Sequence, residues 1–259
     1  MEDKYVYHVE DLDFAYGKHK VLDKISFTIA PGRITTLIGA NGCGKSTLFY
    51  LLTKNLRPDS GALMFRGREL GSIKLREFAK EAAIVHQYNV APADISVEKL
   101  VGYGRSPYHS MGRTKDTDLD EEKIRWAMET TNVLKYRDRP MGELSGGQKQ
   151  RVWLAMALAQ DTKILFLDEP TTYLDIRYQL QILKLTRRLN REFGITVIMV
   201  LHDLNQALYY SDEILAMKDG KITAQGAPGE VVTEQVLKEV YEVDLRLGEV
   251  EGKSFLLPV

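Results

Sequence analysis

The stretch Gly39-Ala40-Asn41-Gly42-Cys43-Gly44-Lys45-Ser46-Thr47 restricts what this chain can fold into more than any other. The run before it, Ile34-Thr35-Thr36-Leu37-Ile38, is β-branched and largely apolar and reads as a buried strand. The run after it, Leu48-Phe49-Tyr50-Leu51-Leu52, has the apolar spacing of a helix. The pattern G-x-x-x-x-G-K-[ST] therefore stands in its required setting of strand, glycine turn and helix. Glycines let the backbone wrap so closely that successive N–H groups converge on one point. The result is an anion nest, to which the helix N-terminus adds partial positive charge. Lys45 can then reach the outer phosphates of a nucleotide, and the Ser46 hydroxyl can ligate Mg²⁺.

Two further apolar runs match the first. Lys163-Ile164-Leu165-Phe166-Leu167 ends at Asp168, and Thr196-Val197-Ile198-Met199-Val200-Leu201 ends at His202. Strands apolar on both faces belong in a parallel sheet covered by helices. Each run delivers a polar or flexible residue (Gly39, Asp168, His202) at its carboxyl end, where open α/β sheets place their ligands. The remainder reads as β-structure over residues 5–30, short strands at Ala62–Phe65 and Ala82–Val85, and an irregular stretch from 88 to about 115. Helices are expected at Asp120–Tyr136, Gly146–Ala159, 176–192 and 229–245, the last trailing into a polar tail. Asp219-Gly220 predicts a hairpin turn between two closing strands. A length of 259 residues suits one large α/β domain, or a core with a subdomain. A net charge of −1 gives no global basicity for nucleic acid or an anionic membrane surface. The single cysteine, Cys43, excludes an internal disulfide framework and fits a reducing compartment. Met1-Glu2-Asp3-Lys4 is too polar for a secretory signal, and no window approaches the run of about 18 apolar residues that spans a bilayer. Any membrane role must come through a partner.

Asp168 is placed to hold Mg²⁺, and Glu169, one residue on, can take a proton from a water in line with a terminal phosphate. Leu144-Ser145-Gly146-Gly147-Gln148 decides the wider plan. Its glycines permit close backbone approach, and Ser145 starts a helix whose positive end would face a phosphate. One chain already has a complete phosphate cradle. A second anion-facing helix start makes sense if two copies meet head to tail, each covering the nucleotide of the other. His8, His19, His86 and His109 lack ligand-like spacing, and Trp126 and Trp153 read as packing residues. Cys43 need not be a nucleophile, yet a bulky thiol reagent there should block nucleotide binding.

With that pentapeptide the chain resembles the ATP-binding cassette family over nearly its full length, with every motif in family order. The resemblance implies a P-loop NTPase core with a mainly parallel sheet, an antiparallel β subdomain and an inserted α-helical subdomain. The core would take in about 1–87 and 160–232, the helical subdomain about 88–159, and a C-terminal helix and tail 233–259. It further implies that Tyr16, in Phe14-Ala15-Tyr16-Gly17, stacks on adenine and that Gly39 to Thr47 is the phosphate loop. Gln87 would touch Mg²⁺ and the attacking water, Leu144 to Gln148 would be the signature, and Ile164 to Glu169 the metal strand, with Asp168 the metal ligand and Glu169 the base. Asp175 would lie in the dimer-interface loop, and His202 would contact the γ-phosphate. ATP and Mg²⁺ are the implied ligands, and ATP-driven closure of a homodimer the implied work.

Cassette ATPases that act on DNA or ribosomes carry a long coiled-coil insertion or two cassettes. Here Gln87 and Leu144 lie close along the chain, and there is one phosphate loop and no basic patch. The likeness is therefore to the ATPase of a membrane importer with separate permease subunits and, indirectly, a substrate-binding protein, and not to a nucleic-acid-binding cassette. Such a subunit sits on the cytoplasmic face of the membrane. The stretch after Gln87, including Gly102-Tyr103-Gly104-Arg105-Ser106-Pro107-Tyr108, is then the docking surface for a permease helix. That element and Asp168-Glu169-Pro170-Thr171-Thr172-Tyr173-Leu174-Asp175-Ile176 resemble the iron(III)-siderophore group, which also includes haem and cobalamin systems.

Overall fold

Alternating apolar and polar residues build the first sheet. In the computed structural model, which describes residues 4–109 and 117–258, β1 (Tyr7–Tyr16) and β2 (His19–Ile29) pair antiparallel from Tyr7↔Ile29 to Tyr16↔His19. Ile25, Phe27 and Ile29 of β2 are buried and Ser26 between them is exposed, as the alternation predicts. β3 (Ile34–Gly39), buried at every position, leads into α1 (Lys45–Leu52). β4 (Ser60–Phe65) and β5 (Arg68–Glu69) then complete an antiparallel sheet of order β2-β1-β4-β5. This part of the chain, up to Ile73, forms one compact unit with everything from Thr196 onward.

Lys74–Ile195 form the second unit. It comprises α2 (Leu75–Phe78), β6 (Ala82–Val85), α3 (Val97–Gly102), α4 (Thr117–Thr130), α5 (Gly146–Ala159), β7 (Ile164–Asp168) and α6 (Ile176–Phe193). β6 runs parallel to β7, from Ala82↔Ile164 to Val85↔Leu167. The stretch after residue 88 is more ordered than its glycines and prolines suggest. Ser96 caps α3 by accepting the Lys99 N–H at 3.3 Å, and a 3₁₀ turn follows over Tyr103–Tyr108. Gly104 reflects packing there: a Cβ would lie 2.1 Å from the Met156 carbonyl oxygen of α5. Residues 110–116, the end of the stretch read as irregular, lie outside the described residues. α4 begins earlier than Asp120 and ends at Thr130; Asn132 takes a left-handed φ of 57°, and Leu134–Tyr136 form a separate 3₁₀ turn.

Arg105 ties this unit together. Its guanidinium is buried, donates to Asp120 Oδ1 at 2.7 Å and to the Ala159 carbonyl at 2.9 Å, and lies 4.0 Å from the Tyr108 ring centre. His109 shares the other Asp120 oxygen at 2.5 Å. Burial alone would raise the Asp120 pKa, but the hydrogen bonds from His109 and Arg105 outweigh it and hold the carboxyl below its ordinary value. Removing one partner of a buried pair strands the other, so Arg105→Ala should destabilise by about 3–5 kcal/mol in urea unfolding at neutral pH. Because the folded carboxyl has the depressed pKa, its contribution holds above the unfolded value and fades as pH falls through the folded one. The gap between wild type and Asp120→Asn should therefore shrink below about pH 4.

Back in the first unit, the chain forms β8 (Thr196–Val200), α7 (Leu204–Tyr210), β9 (Glu213–Lys218), β10 (Lys221–Gly226), α8 (Pro228–Val231), α9 (Glu234–Tyr241), β11 (Leu245–Val250) and β12 (Lys253–Pro258). β3 lies between β8 and β9, parallel to both, and β10 pairs antiparallel with β9. The fully buried faces of β3 and β8 explain their unbroken apolar runs. Asp219 and Gly220 both take positive φ, 46° and 74°, the geometry that suits a tight hairpin. The single helix expected over 229–245 is two helices, because Thr233 starts α9 afresh by accepting the Val236 N–H at 3.2 Å. The expected polar tail is a hairpin, turned at Glu251 and Gly252 with φ of 52° and 72°.

Candidate functional site

In the first unit, backbone geometry shapes the loop between β3 and α1. Gly39 has φ 149°, and a Cβ there would lie 2.4 Å from the Met217 carbonyl oxygen of β9. Gly44, at φ 105°, caps α1 in the left-handed region with no side-chain cap, which leaves the first N–H groups of the helix for an anion. A Cβ at Gly44 would meet Leu22 Cδ2 at 2.8 Å, so β2 presses on the loop from the other side. The Gly220 N–H donates to the Cys43 carbonyl at 3.0 Å, so the β9–β10 turn braces the loop. Lys45 is 5% exposed, and its Nζ donates to the carbonyls of Gly39 at 2.7 Å and Ala40 at 2.9 Å. Asn41, Gly42 and Ser46 face outward; Thr47 is buried.

Cys43 is buried with its thiol 3.9 Å from Lys45 Nζ and directly beside Gly39. Such a thiol reacts slowly. Once a maleimide is attached, the loop must open to hold it, and affinity for a fluorescent ATP analogue should be lost. Full alkylation confirmed by mass, with affinity unchanged, would contradict this. Tyr16 ends β1 half exposed, edge-on to Phe14 with ring centres 4.9 Å apart, and can offer a face to a base. His202 is exposed just past β8, and Asp203 after it caps α7 by accepting the Gln206 N–H at 3.0 Å.

The second unit carries the carboxylates. Asp168 is buried at the end of β7. Glu169 follows at φ 48°, a left-handed conformation rare for a side chain of this size, and the turn takes it off the line of the strand. Its Oε2 accepts hydrogen bonds from Gln87 Nε2 at 2.5 Å and Thr172 Oγ1 at 3.1 Å. Gln87 and Glu169 are thus brought together, and Thr172, which sequence reasoning passed over, holds the same oxygen.

Ser145 and Gln148 form a capping box at the start of α5. Ser145 Oγ accepts the Gln148 N–H at 3.4 Å and Gln148 Oε1 accepts the Ser145 N–H at 2.9 Å. Gln148 Nε2 also donates to the Tyr136 hydroxyl at 3.0 Å, so this amide serves the fold. Gly147 is required by packing, since a Cβ would lie 2.3 Å from the Tyr178 ring, whereas Ser145 and Gly146 are exposed. Asp175 caps α6 by accepting the Tyr178 N–H at 3.1 Å. Of the residues read as packing or surface, His8 pairs with Glu10 at 2.7 Å, and Trp126 lies edge-on to Phe193 at 5.3 Å. Tyr16, Gly39–Thr47 and His202 belong to the first compact unit. Gln87, Ser145–Gln148, Asp168 and Glu169 belong to the second.

The chain is 44% identical over 238 residues, 92% of its length and 88% of the relative, to the iron(3+)-hydroxamate import ATP-binding protein FhuC of Bacillus subtilis (strain 168). It is 42% identical over 232 residues, 90% of its length and 85% of the relative, to the ferric enterobactin transport ATP-binding protein FepC of Escherichia coli (strain K12). Among solved structures, cbiO1 from Clostridium perfringens, part of the ABC transporter complex cbiONQ, superposes with a TM-score of 0.81 at 32% identity, covering 91% of this chain and 94% of that one. The family model described as ABC transporter matches residues 22–172. With its α/β fold of mainly parallel and antiparallel sheets, the chain belongs to the ABC transporter family.

Proposed function

We propose that this chain is the ATP-hydrolysing subunit of an importer that takes up an iron(III)-siderophore-type chelate, working as a pair of identical copies bound to separate permease subunits. The observation that carries the ATPase reading is the loop Gly39–Thr47, with Lys45 Nζ bonded to its Gly39 and Ala40 carbonyls and an α1 N-terminus that no side chain caps. The phosphates rest on the loop N–H groups and Lys45, adenine stacks on Tyr16, and His202 contacts the γ-phosphate. Ser46, Gln87 and Asp168 offer a hydroxyl, a carboxamide and a carboxylate, all hard oxygen donors suited to Mg²⁺. Mg²⁺ held by such donors would supply charge neutralisation for the phosphates. The water oxygen forms a bond to the γ-phosphorus as the bond to the ADP oxygen breaks. Glu169 takes the water proton, and ADP and phosphate leave. Gln87 and Thr172 orient the carboxylate through Oε2.

The exposed Ser145 and Gly146 at the capped start of α5 support the shared site, in which each copy lays Ser145–Gln148 over the nucleotide of the other. Ser145→Arg should therefore leave MgATP affinity of the isolated chain unchanged and abolish turnover. Full turnover would argue against sharing. Among the described residues no helix is long and apolar enough to cross a membrane. Tyr88 and Val90, 68% and 92% exposed just after Gln87, suit a surface for a permease helix at the cytoplasmic face of the membrane. A substrate-binding protein would act only through the permease.

The names of the relatives support the cargo. The test is uptake by cells lacking this chain, supplied with radiolabelled iron(III) hydroxamate, haem or cobalamin. Loss of ferric-chelate uptake alone is expected. Loss of only haem or cobalamin uptake would move the assignment to that cargo, and co-purification with ribosomes or DNA and no membrane partner would overturn the importer reading.

A further inference from the structure

We propose that Tyr241 of α9 is a positioning residue for nucleotide binding, its hydroxyl holding Gly39 at the entrance to the phosphate loop. The Gly39 N–H donates to Tyr241 Oη at 2.8 Å, and the Gly39 carbonyl accepts from Lys45 Nζ at 2.7 Å. Both polar groups of this residue are therefore engaged, one by the C-terminal helix and one by the phosphate-binding lysine. Gly39 needs such support. It is buried, it has a backbone conformation that favours glycine, and the space beside it is filled by the Met217 carbonyl and the Cys43 thiol. Without the tyrosine oxygen a buried N–H would lose its partner, and Gly39, whose carbonyl accepts from Lys45, would be held less firmly.

α9 is anchored firmly enough to serve this purpose. Leu237 and Val240 are buried in the core of the unit. Lys218, next to the Met217 that walls Gly39, donates to the Glu239 carbonyl at 2.7 Å and to Glu242 Oε1 at 2.9 Å, capping the negative end of the helix. The helix and the wall of the loop are thus tied to the same strand, β9. Burial raises the Tyr241 pKa far above the ordinary phenol value, against the Gly39 hydrogen bond and with Cys43 adding to the rise. The hydroxyl therefore stays neutral at working pH, and its oxygen accepts from Gly39 as a neutral group. Nothing in the sequence around Tyr241 marks it as part of a nucleotide site.

The inference rests on the reading of Gly39–Thr47 as the nucleotide site. Its test is Tyr241→Phe in the full chain, because phenylalanine keeps the packed ring and removes only the hydroxyl. Expected are a roughly fivefold rise in the dissociation constant for MgATP, a kcat within about twofold of wild type, and a melting temperature lowered by only a few degrees, the effect of one unpaired buried N–H. Hydrogen exchange at the Gly39 amide should quicken by about tenfold. Unchanged affinity together with unchanged Gly39 exchange would overturn the proposal. So would a fall in kcat as large as the fall in affinity, together with a melting temperature lowered by more than about 10 °C, which would give Tyr241 a packing role alone. If wild type itself binds no nucleotide, the nucleotide reading fails, and Gly39 exchange still decides whether Tyr241 holds the loop.

Discussion

Glu169→Gln should lower ATP hydrolysis by about 10²–10⁴-fold while MgATP affinity stays within about twofold of wild type. The substitution is close to isosteric. The amide oxygen of the new side chain can still accept from Gln87 and Thr172, which bond Glu169 Oε2 at 2.5 and 3.1 Å. The left-handed backbone at φ 48° makes no demand that glutamine meets less well than glutamate. What disappears is the capacity to take a proton from the attacking water. Single-turnover hydrolysis and equilibrium binding, measured on the same preparation, separate the two quantities. Turnover within tenfold of wild type would show that the proton goes elsewhere.

Lys45→Ala should have the largest effect on binding, weakening MgATP and MgADP affinity by about tenfold to a hundredfold. That range corresponds to the loss of a charge-assisted hydrogen bond to phosphate. The lysine also closes the loop on itself, through hydrogen bonds to the Gly39 and Ala40 carbonyls at 2.7 and 2.9 Å. The variant therefore loses loop order as well as charge. Lys45→Arg is not expected to rescue binding, since a side chain only 5% exposed leaves no room for a planar fork. Titration calorimetry checks both variants, and affinity unchanged in Lys45→Ala would remove the lysine from the site.

The parts of this molecule that could be read in advance are those whose chemistry is written locally. The strand, glycine turn and helix around Gly39–Thr47, the helix starting after Ser145 and the buried run ending at Asp168 each lie within about 20 consecutive residues, where periodicity and capping operate. Tyr241, Gly220 and Thr172 escaped for the opposite reason. Tyr241 and Gly220 meet the phosphate loop only after the chain has passed through the whole second unit and returned. Asp219-Gly220 announced a turn, but nothing in the dipeptide says that its N–H supports Cys43. The short helix α3 was hidden by Gly102 and Gly104, of which only Gly104 is demanded by contact with a neighbouring helix. The C-terminal hairpin was read as a polar tail because Arg246, Glu249, Glu251 and Lys253 break up its apolar residues. Leu256 at its heart is buried, and its N–H donates to Asn205 Oδ1 at 2.7 Å, a contact made by folding and not by local pattern.

The claim that two copies of this chain complete one another's nucleotide sites is tested most directly by light scattering on the Glu169→Gln variant saturated with MgATP. A particle of twice the chain mass, reverting to one chain when nucleotide is removed, is the predicted result. A strictly monomeric particle, with wild-type hydrolysis per molecule independent of protein concentration, would contradict it.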